Sequence, residues 1–489
     1  MIEKYYKEIE KTIGSLKFAV TILLLFTALM ILGTFIESFC GADFANRFLY
    51  KKPLFIVVQI FIFLSIYFAT TIRLPFKKRL TGFYITHLGL LIIGIGSLIT
   101  YISGIDGQLY LAPRETTRSV NLTKDQLTIE NLDTKEKIYY PMPYTAFTAD
   151  LNIPFKNMLI KNYLPFAKEK IEWQEPISNF NYSSTEYFFK NAFAEQSLTF
   201  SLNPEVNDEF PNLVDLGPLK FIYFSNIVKN CFQKNLDKNR FFINMITNEC
   251  LIDVKTDQEN TIEIIPESLK AKPTVILFGE QMLFWDKYQS TWVEKNFTGN
   301  KSIILPWMNA EINLVNQQNN LIPKKIPYYI YPKQKKGQLT EGDLKGASLE
   351  ILGKTYWITN ETPLGLRIRG VPYIFKLQSE KIELPVEVTL TYFKMDKDPG
   401  TNAPASYESF VDIFNGKTKN KAHIYMNHPL KLEGFTFYQA SYSENNDGSY
   451  SSTLAVNVDQ GRPLKYFGSL LLIFGATLHF YIKSKKGKI

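Results

Sequence analysis

Four long apolar stretches, at residues 18–36, 53–72, 83–102 and 466–482, carry no aspartate, glutamate, lysine or arginine. At about 1.5 Å per residue, such runs suit helices crossing about 30 Å of hydrocarbon, the fourth being the shortest. Between the third and fourth the period changes to two. Val386, Val388, Leu390 and Tyr392 alternate with Glu387, Thr389 and Thr391, as a half-buried strand requires, and Leu454, Val456 and Val458 repeat the pattern. Residues 126–130 and 136–140 flank Asn131-Leu132-Asp133-Thr134-Lys135, which predicts a hairpin. Residues 150–370 are less legible, and 317–346 read as extended polar connections. The pattern predicts a polytopic membrane protein with four transmembrane α-helices and a large β-rich extracytoplasmic domain between the third and fourth. Residues 1–103 would hold three spans, 104–465 the domain, and 466–489 the last span with a basic tail.

Lysine and arginine placement orients the spans. With a cytoplasmic N-terminus, residues 1–17, the loop holding Arg73, Lys77, Lys78 and Arg79, and the tail holding Lys483, Lys485, Lys486 and Lys488 carry +9. The whole chain carries +8, which leaves −1 outside. The basic balance therefore reports topology in a lipid bilayer and not affinity for nucleic acid. No small-x-small site follows the first apolar run at residues 33–38, so that run reads as a retained signal anchor.

All three cysteines, Cys40, Cys231 and Cys250, fall on the outer side in this topology. That compartment permits a Cys231–Cys250 disulfide, though a pair of buried thiols would read the same way. No Cys-x-x-Cys-His occurs, so the chain is not itself a covalent haem carrier. Phosphate loops, dinucleotide glycine patterns, nucleophile elbows and His-Glu-x-x-His are also missing from the sequence. Aromatic residues make up 15% of the chain, and interfacial belts with sheet packing account for them.

Of the four histidines, His87 and His479 lie in the apolar stretches. An ionisable side chain in hydrocarbon marks a ligand, a relay or a polar partner across the bundle. For His87 the bland alternative is an interhelical hydrogen bond to Gln59 or to a threonine of a neighbouring span. Gly82, Gly89, Gly94 and Gly96 around it fit the close approach of another helix or of a flat ligand. Pro429 favours an extended conformation at His428, ahead of a turn into Gly434. His423 reads as a surface strand residue.

The ends of the chain carry recurring signatures. The first span enters through Gly14-Ser15-Leu16-Lys17-Phe18-Ala19 and leaves through Gly33-Thr34-Phe35-Ile36, and the third holds His87-Leu88-Gly89 and runs to Gly104-Ile105-Asp106-Gly107. Later come Pro404-Ala405-Ser406-Tyr407, Asn427-His428-Pro429-Leu430, Phe437-Tyr438-Gln439-Ala440 and Asp459-Gln460-Gly461-Arg462-Pro463. In order and spacing these resemble the ResB/CcsB family of cytochrome c biogenesis proteins, the System II pathway. The resemblance covers roughly the first 115 and last 100 residues. It departs from the family at Gln460, where members often carry proline.

The resemblance implies a complex in the bacterial cytoplasmic membrane that binds haem b transiently. The complex carries it outward and joins it to Cys-x-x-Cys-His of apocytochrome c. A separate ResC/CcsA-type subunit would supply the tryptophan-rich haem-handling segment. With no evident acid, base or nucleophile set for thioether chemistry, this chain is expected to be a non-catalytic subunit of the synthase. His87, about 6 Å from the cytoplasmic end of its span, becomes the expected axial ligand of the haem iron where haem enters. His428 becomes a contact for haem or for the partner on the outer side, against its reading as a turn histidine bonded within the domain. His479, about 5 Å from the same surface, can face His87 across a haem as a second axial ligand, or simply reach toward headgroups beside Lys483. The competing class is a membrane-anchored β-domain receptor or assembly scaffold that binds no haem.

Overall fold

A computed structural model describes residues 2–486, apart from 177–181, 193, 245–248, 252–260, 298–301, 336–337, 352, 401–403 and 446. Its long helices are α1 (Ile2–Ile13), α2 (Leu16–Cys40), α3 (Pro53–Thr71), α4 (Thr81–Ser103) and α5 (Arg462–Lys486). All but α1 are long and apolar enough to cross a membrane, and each coincides with one of the expected apolar stretches to within a few residues, α3 ending one residue short of 72. Ser15 caps α2, its hydroxyl accepting the Phe18 N–H at 3.2 Å. Pro53 opens α3, where a missing N–H costs nothing. Large apolar side chains such as Leu24, Ile31, Leu98 and Leu470 lie more than half exposed on these helices, a surface suited to lipid.

The closest helix contact is an antiparallel glycine seam between α4 and α5. Gly82, Gly89 and Gly96 recur every seven residues and face Gly475, Gly468 and Gly461, which do the same. A Cβ on Gly89 would lie 2.6 Å from the Gly468 carbonyl oxygen, and one on Gly468 would lie 2.6 Å from the Gly89 oxygen. Small residues let backbones meet where lipid gives no hydrophobic drive to association. Of the two readings of these glycines, helix approach is the one observed, while Gly94 lies against the Phe63 ring of α3. Gly89→Ala is expected to cost about 1–3 kcal/mol, because the obstacle is backbone and cannot rotate away. An unchanged unfolding midpoint in detergent would count against the seam.

Residues 1–168 and 327–489 form one compact unit, and 169–326 another, so the stretch 104–465 expected as one domain divides. In the first unit, β1 (Ile105–Leu111), β2 (Thr116–Asn131), β3 (Lys137–Pro141), β4 (Val371–Lys397), β5 (Pro404–Phe414), β6 (Lys419–Ile424), β7 (Leu430–Leu432), β8 (Phe435–Glu444) and β9 (Tyr450–Val458) build the main sheet. Its order is β6-β5-β4-β2-β1-β9-β8-β7, with β3 on β2. Val120, Val388, Val411, Ile424, Phe437 and Leu454 belong to one buried cluster drawn from both ends of that order, so the sheet rolls around it, while Leu127 and Ile129 of β2 and Phe375 and Leu377 of β4 join a second cluster. β1 begins two residues after α4 ends, and Ile105 pairs with Val458 of β9 just before α5. In the second unit Tyr187, Phe189, Phe200, Phe221 and Tyr223 are buried together. Cys231 and Cys250 form a disulfide there, with Cα atoms 5.7 Å apart.

The predicted hairpin is present, β2 pairing with β3 from Gln126–Pro141 to Glu130–Lys137. The Asn131 side chain accepts the N–H groups of Asp133 and Thr134 at the turn. The connections expected at 317–346 are instead strands, including Glu311–Asn319, Ile322–Tyr329 and Leu344–Ile351. Their alternation is masked by lysine, glutamine and asparagine on the exposed positions. Val386, Val388 and Leu390 point inward as predicted, but Tyr392 is 60% exposed. Thr391 is an extra residue in the β4–β5 register, and one extra residue turns every later side chain to the other face.

Candidate functional site

His87 is half-buried on α4, on the helix face away from the glycine seam, because five residues separate it from Gly82. Its Nδ1 lies 2.9 Å from the Phe83 carbonyl oxygen. A carbonyl oxygen only accepts, so Nδ1 carries the hydrogen and the neutral ring keeps its lone pair on Nε2. The imidazole covers the Phe83 ring at 3.7 Å, and the Arg73 guanidinium lies 4.7 Å from the other partner of that ring's stack, the Phe83 centroid. Arg73 spends one donor on the Ala69 carbonyl at 2.6 Å and stays exposed. The interhelical bond to Gln59 or to a threonine is not formed; the helix's own carbonyl takes Nδ1.

His479 does not share the depth of His87. The seam sets the stagger of α4 and α5, placing the His479 backbone against Gly82, five residues or about 7.5 Å from the level of His87 and on another face. Its Nδ1 is buried without a hydrogen-bond partner. No hydrogen bond or ring contact joins the two histidines among the described residues.

On the outer face of the rolled sheet, five rings follow one another across neighbouring strands. Tyr392 pairs with Phe410 and Phe410 with His423 in the β4–β5–β6 registers. Phe410 and His423 stack at 4.2 Å, His423 and Tyr425 at 4.5 Å, and Tyr425 and His428 at 4.0 Å. The Thr391 bulge puts Tyr392 at the head of this row, 5.7 Å from Phe410. An open groove of about 400 Å³ runs beside Tyr392, Phe410, Lys421 and His423. His423, the expected surface strand residue, bonds Glu408 through Nε2 at 2.8 Å. His428 is exposed, with Nδ1 3.2 Å from the Met426 carbonyl oxygen.

A buried ion cluster that sequence reading missed fixes the loop between α2 and α3. Arg47 is 1% exposed and binds Asp43 at 2.9 Å and Asp125 at 2.7 Å, with its guanidinium 4.6 Å from the Tyr144 centroid. Asp125 also accepts from Lys345 and from the Tyr163 hydroxyl, each at 2.6 Å. Burial pushes the Asp125 carboxyl up, yet Lys345 and Arg47 outweigh it and hold it below its ordinary range. The same burial, with Asp125 beside it, keeps the Tyr163 phenol protonated and donating. At the Gly96–Gly461 end of the seam, Asp459 accepts from Thr100 at 2.6 Å and Lys465 at 2.8 Å. That clasp gives the Asp459-Gln460-Gly461-Arg462-Pro463 signature a structural role. Both clusters are fully paired and position elements; neither offers an open ligand position.

Among the described residues, His87 and His428 therefore present an Nε2 without a hydrogen-bond partner and an Nδ1 tied to a main-chain carbonyl. That arrangement fixes the tautomer and raises the basicity of the free nitrogen toward a metal. Groups of three or more metal-ligating side chains are not found among the described residues. Single imidazoles suit a metal that brings its own macrocycle.

Residues 373–454 match the ResB-like family. The chain is 32% identical over 98 residues to the protein NrfI of Wolinella succinogenes, a match covering 20% of this chain and 10% of that one. It is 33% identical over 100 residues to the cytochrome c biogenesis protein CcsB of Prochlorococcus marinus, covering 20% of this chain and 23% of that one. The matches thus span less than a quarter of either relative's length. The family match runs from Tyr373 in β4 to Leu454 in β9, taking in the ring row and leaving His87 outside it. By that segment, the chain is similar to the ResB-like family and to the cytochrome c biogenesis protein CcsB.

Proposed function

We propose that the chain is a membrane subunit of cytochrome c biogenesis that binds haem through His87 and helps carry it outward for attachment to apocytochrome c. The observation that carries this reading is the free Nε2 of His87, held in the correct tautomer by the Phe83 carbonyl. Haem supplies the iron, its four porphyrin nitrogens and the group that becomes attached to the cytochrome; imidazole is a common axial partner. The chain's part is to bind and orient. Phe83 holds the plane of the imidazole, and Arg73 on the same stack supplies a cation for the porphyrin carboxylates.

α2 to α5 span the bacterial cytoplasmic membrane, with the basic loop after α3 inside and the strands outside. The Cys231–Cys250 disulfide supports an oxidising outer compartment for the strands. A ResC/CcsA-type subunit is the membrane partner, and apocytochrome c with its Cys-x-x-Cys-His segment receives the haem. No bond-making step is assigned to this chain. The names of NrfI's companion match, CcsB, and of the ResB-like family support the pathway.

The test is the absorbance spectrum of the chain purified from membranes, alone and with its partner. A Soret band is expected in both preparations. A colourless protein that stays folded would overturn haem binding and leave the scaffold reading.

A further inference from the structure

The four histidines divide by how their ring nitrogens are used. His423 commits Nε2 to Glu408 at 2.8 Å, and its ring stacks with those of Phe410 and Tyr425. His479 has Nδ1 buried. His428 repeats the chemistry of His87 on the other side of the chain: a main-chain carbonyl on Nδ1, an aromatic ring stacked against the imidazole, and Nε2 unpaired.

The turn around His428 is built to hold that ring still. Tyr425 and His428 exchange backbone hydrogen bonds of 3.5 and 3.0 Å around Met426 and Asn427. Asn427 takes a left-handed φ of 63°, which asparagine tolerates better than other non-glycine residues. Pro429 restricts the backbone of His428 from the other side. Met426, whose carbonyl holds Nδ1, is itself 57% exposed, a polarizable apolar side chain two residues from His428.

We propose that His428 is a second iron ligand, an outer station for haem on the ResB-like sheet; this rests on the reading that the chain handles haem. A porphyrin held by an imidazole lies across that imidazole's plane. The rings of Tyr425 and His423, within 17° and 30° of their neighbours in the stack, would then stand edge-on beneath it. Edge-to-face contact is the favoured aromatic geometry. The row thus offers one coordinating nitrogen followed by a comb of ring edges, which fits a flat, apolar, iron-bearing ligand.

The experiment titrates ferric haem into the detergent-purified full chain carrying His87→Ala, read by the Soret difference spectrum. Binding with an imidazole-type spectrum is expected. Adding His428→Phe, which keeps a ring on Tyr425 but removes the nitrogen, is expected to weaken binding at least about tenfold and abolish that spectrum. Adding Tyr392→Ala instead is expected to leave the spectrum type unchanged. Identical titrations of His87→Ala with and without His428→Phe, both melting like the parent, would overturn the proposal. The fall in haem content from the parent chain to His87→Ala reports on His87, and the further change on adding His428→Phe reports on His428, so the two ligand assignments fail separately.

Discussion

His87→Ala is expected to leave the chain folded in the membrane while lowering its haem per protein by about tenfold or more, the scale of a lost metal-ligand interaction. Folding should survive because the imidazole contacts its own helix and Phe83, while the seam through Gly82, Gly89 and Gly96 lies on another face. Added imidazole should restore part of the Soret absorbance, since the vacancy left by the side chain is the size of the free base. Haem content equal to the parent's would remove His87 from the iron. Cytochrome c maturation should fall in parallel, measured as haem-stained product in cells.

Asp125→Ala is expected to destabilise the first unit by about 3–5 kcal/mol, the cost of leaving buried charge uncompensated. Of its two carboxylates Arg47 would keep Asp43, itself partly exposed, beside the neutral Thr123 carbonyl and Tyr163 hydroxyl, and Lys345 would lose its partner. Denaturant unfolding in detergent can be followed through Trp357, which lies in the same unit. Replacing Arg47 with Met and Asp125 with Leu together should recover much of the loss, because apolar replacement of a buried pair is often neutral. A single substitution without effect would show that the cluster carries no stability. The pH dependence has a definite sign. A carboxyl held below its ordinary 3.8 contributes fully above that value and loses its contribution as pH falls through its lower folded value. The cluster is therefore expected to hold between about pH 5 and 8 and to fail only under stronger acid.

The four long apolar helices and the inward strand residues were legible because an unbroken apolar run and a two-residue alternation each persist over many residues. Glycines 82, 89 and 96 were legible as small positions, but their partners 461, 468 and 475 lie far along the chain, so the seam was not. Tyr392 was misread because a bulge leaves no trace in an alternating pattern until the pairing strand is known. Arg47 looked like one more loop charge; its main partner, Asp125, sits 78 residues away with no local cue. His428 was legible as a turn residue, while the state of its two nitrogens depends on where the Met426 carbonyl points.

The seam also orders events during synthesis. Its two halves are separated by about 360 residues, so at about 5–20 residues per second α5 emerges roughly 20–70 s after α4. Throughout that interval the glycine face of α4 has no α5 against it, and β1 has no β9 to pair with. The last contact made is thus the one that closes both the helix pair and the rolled sheet. Closure of the seam therefore comes late in synthesis, and until then His87 sits on a helix without its principal neighbour.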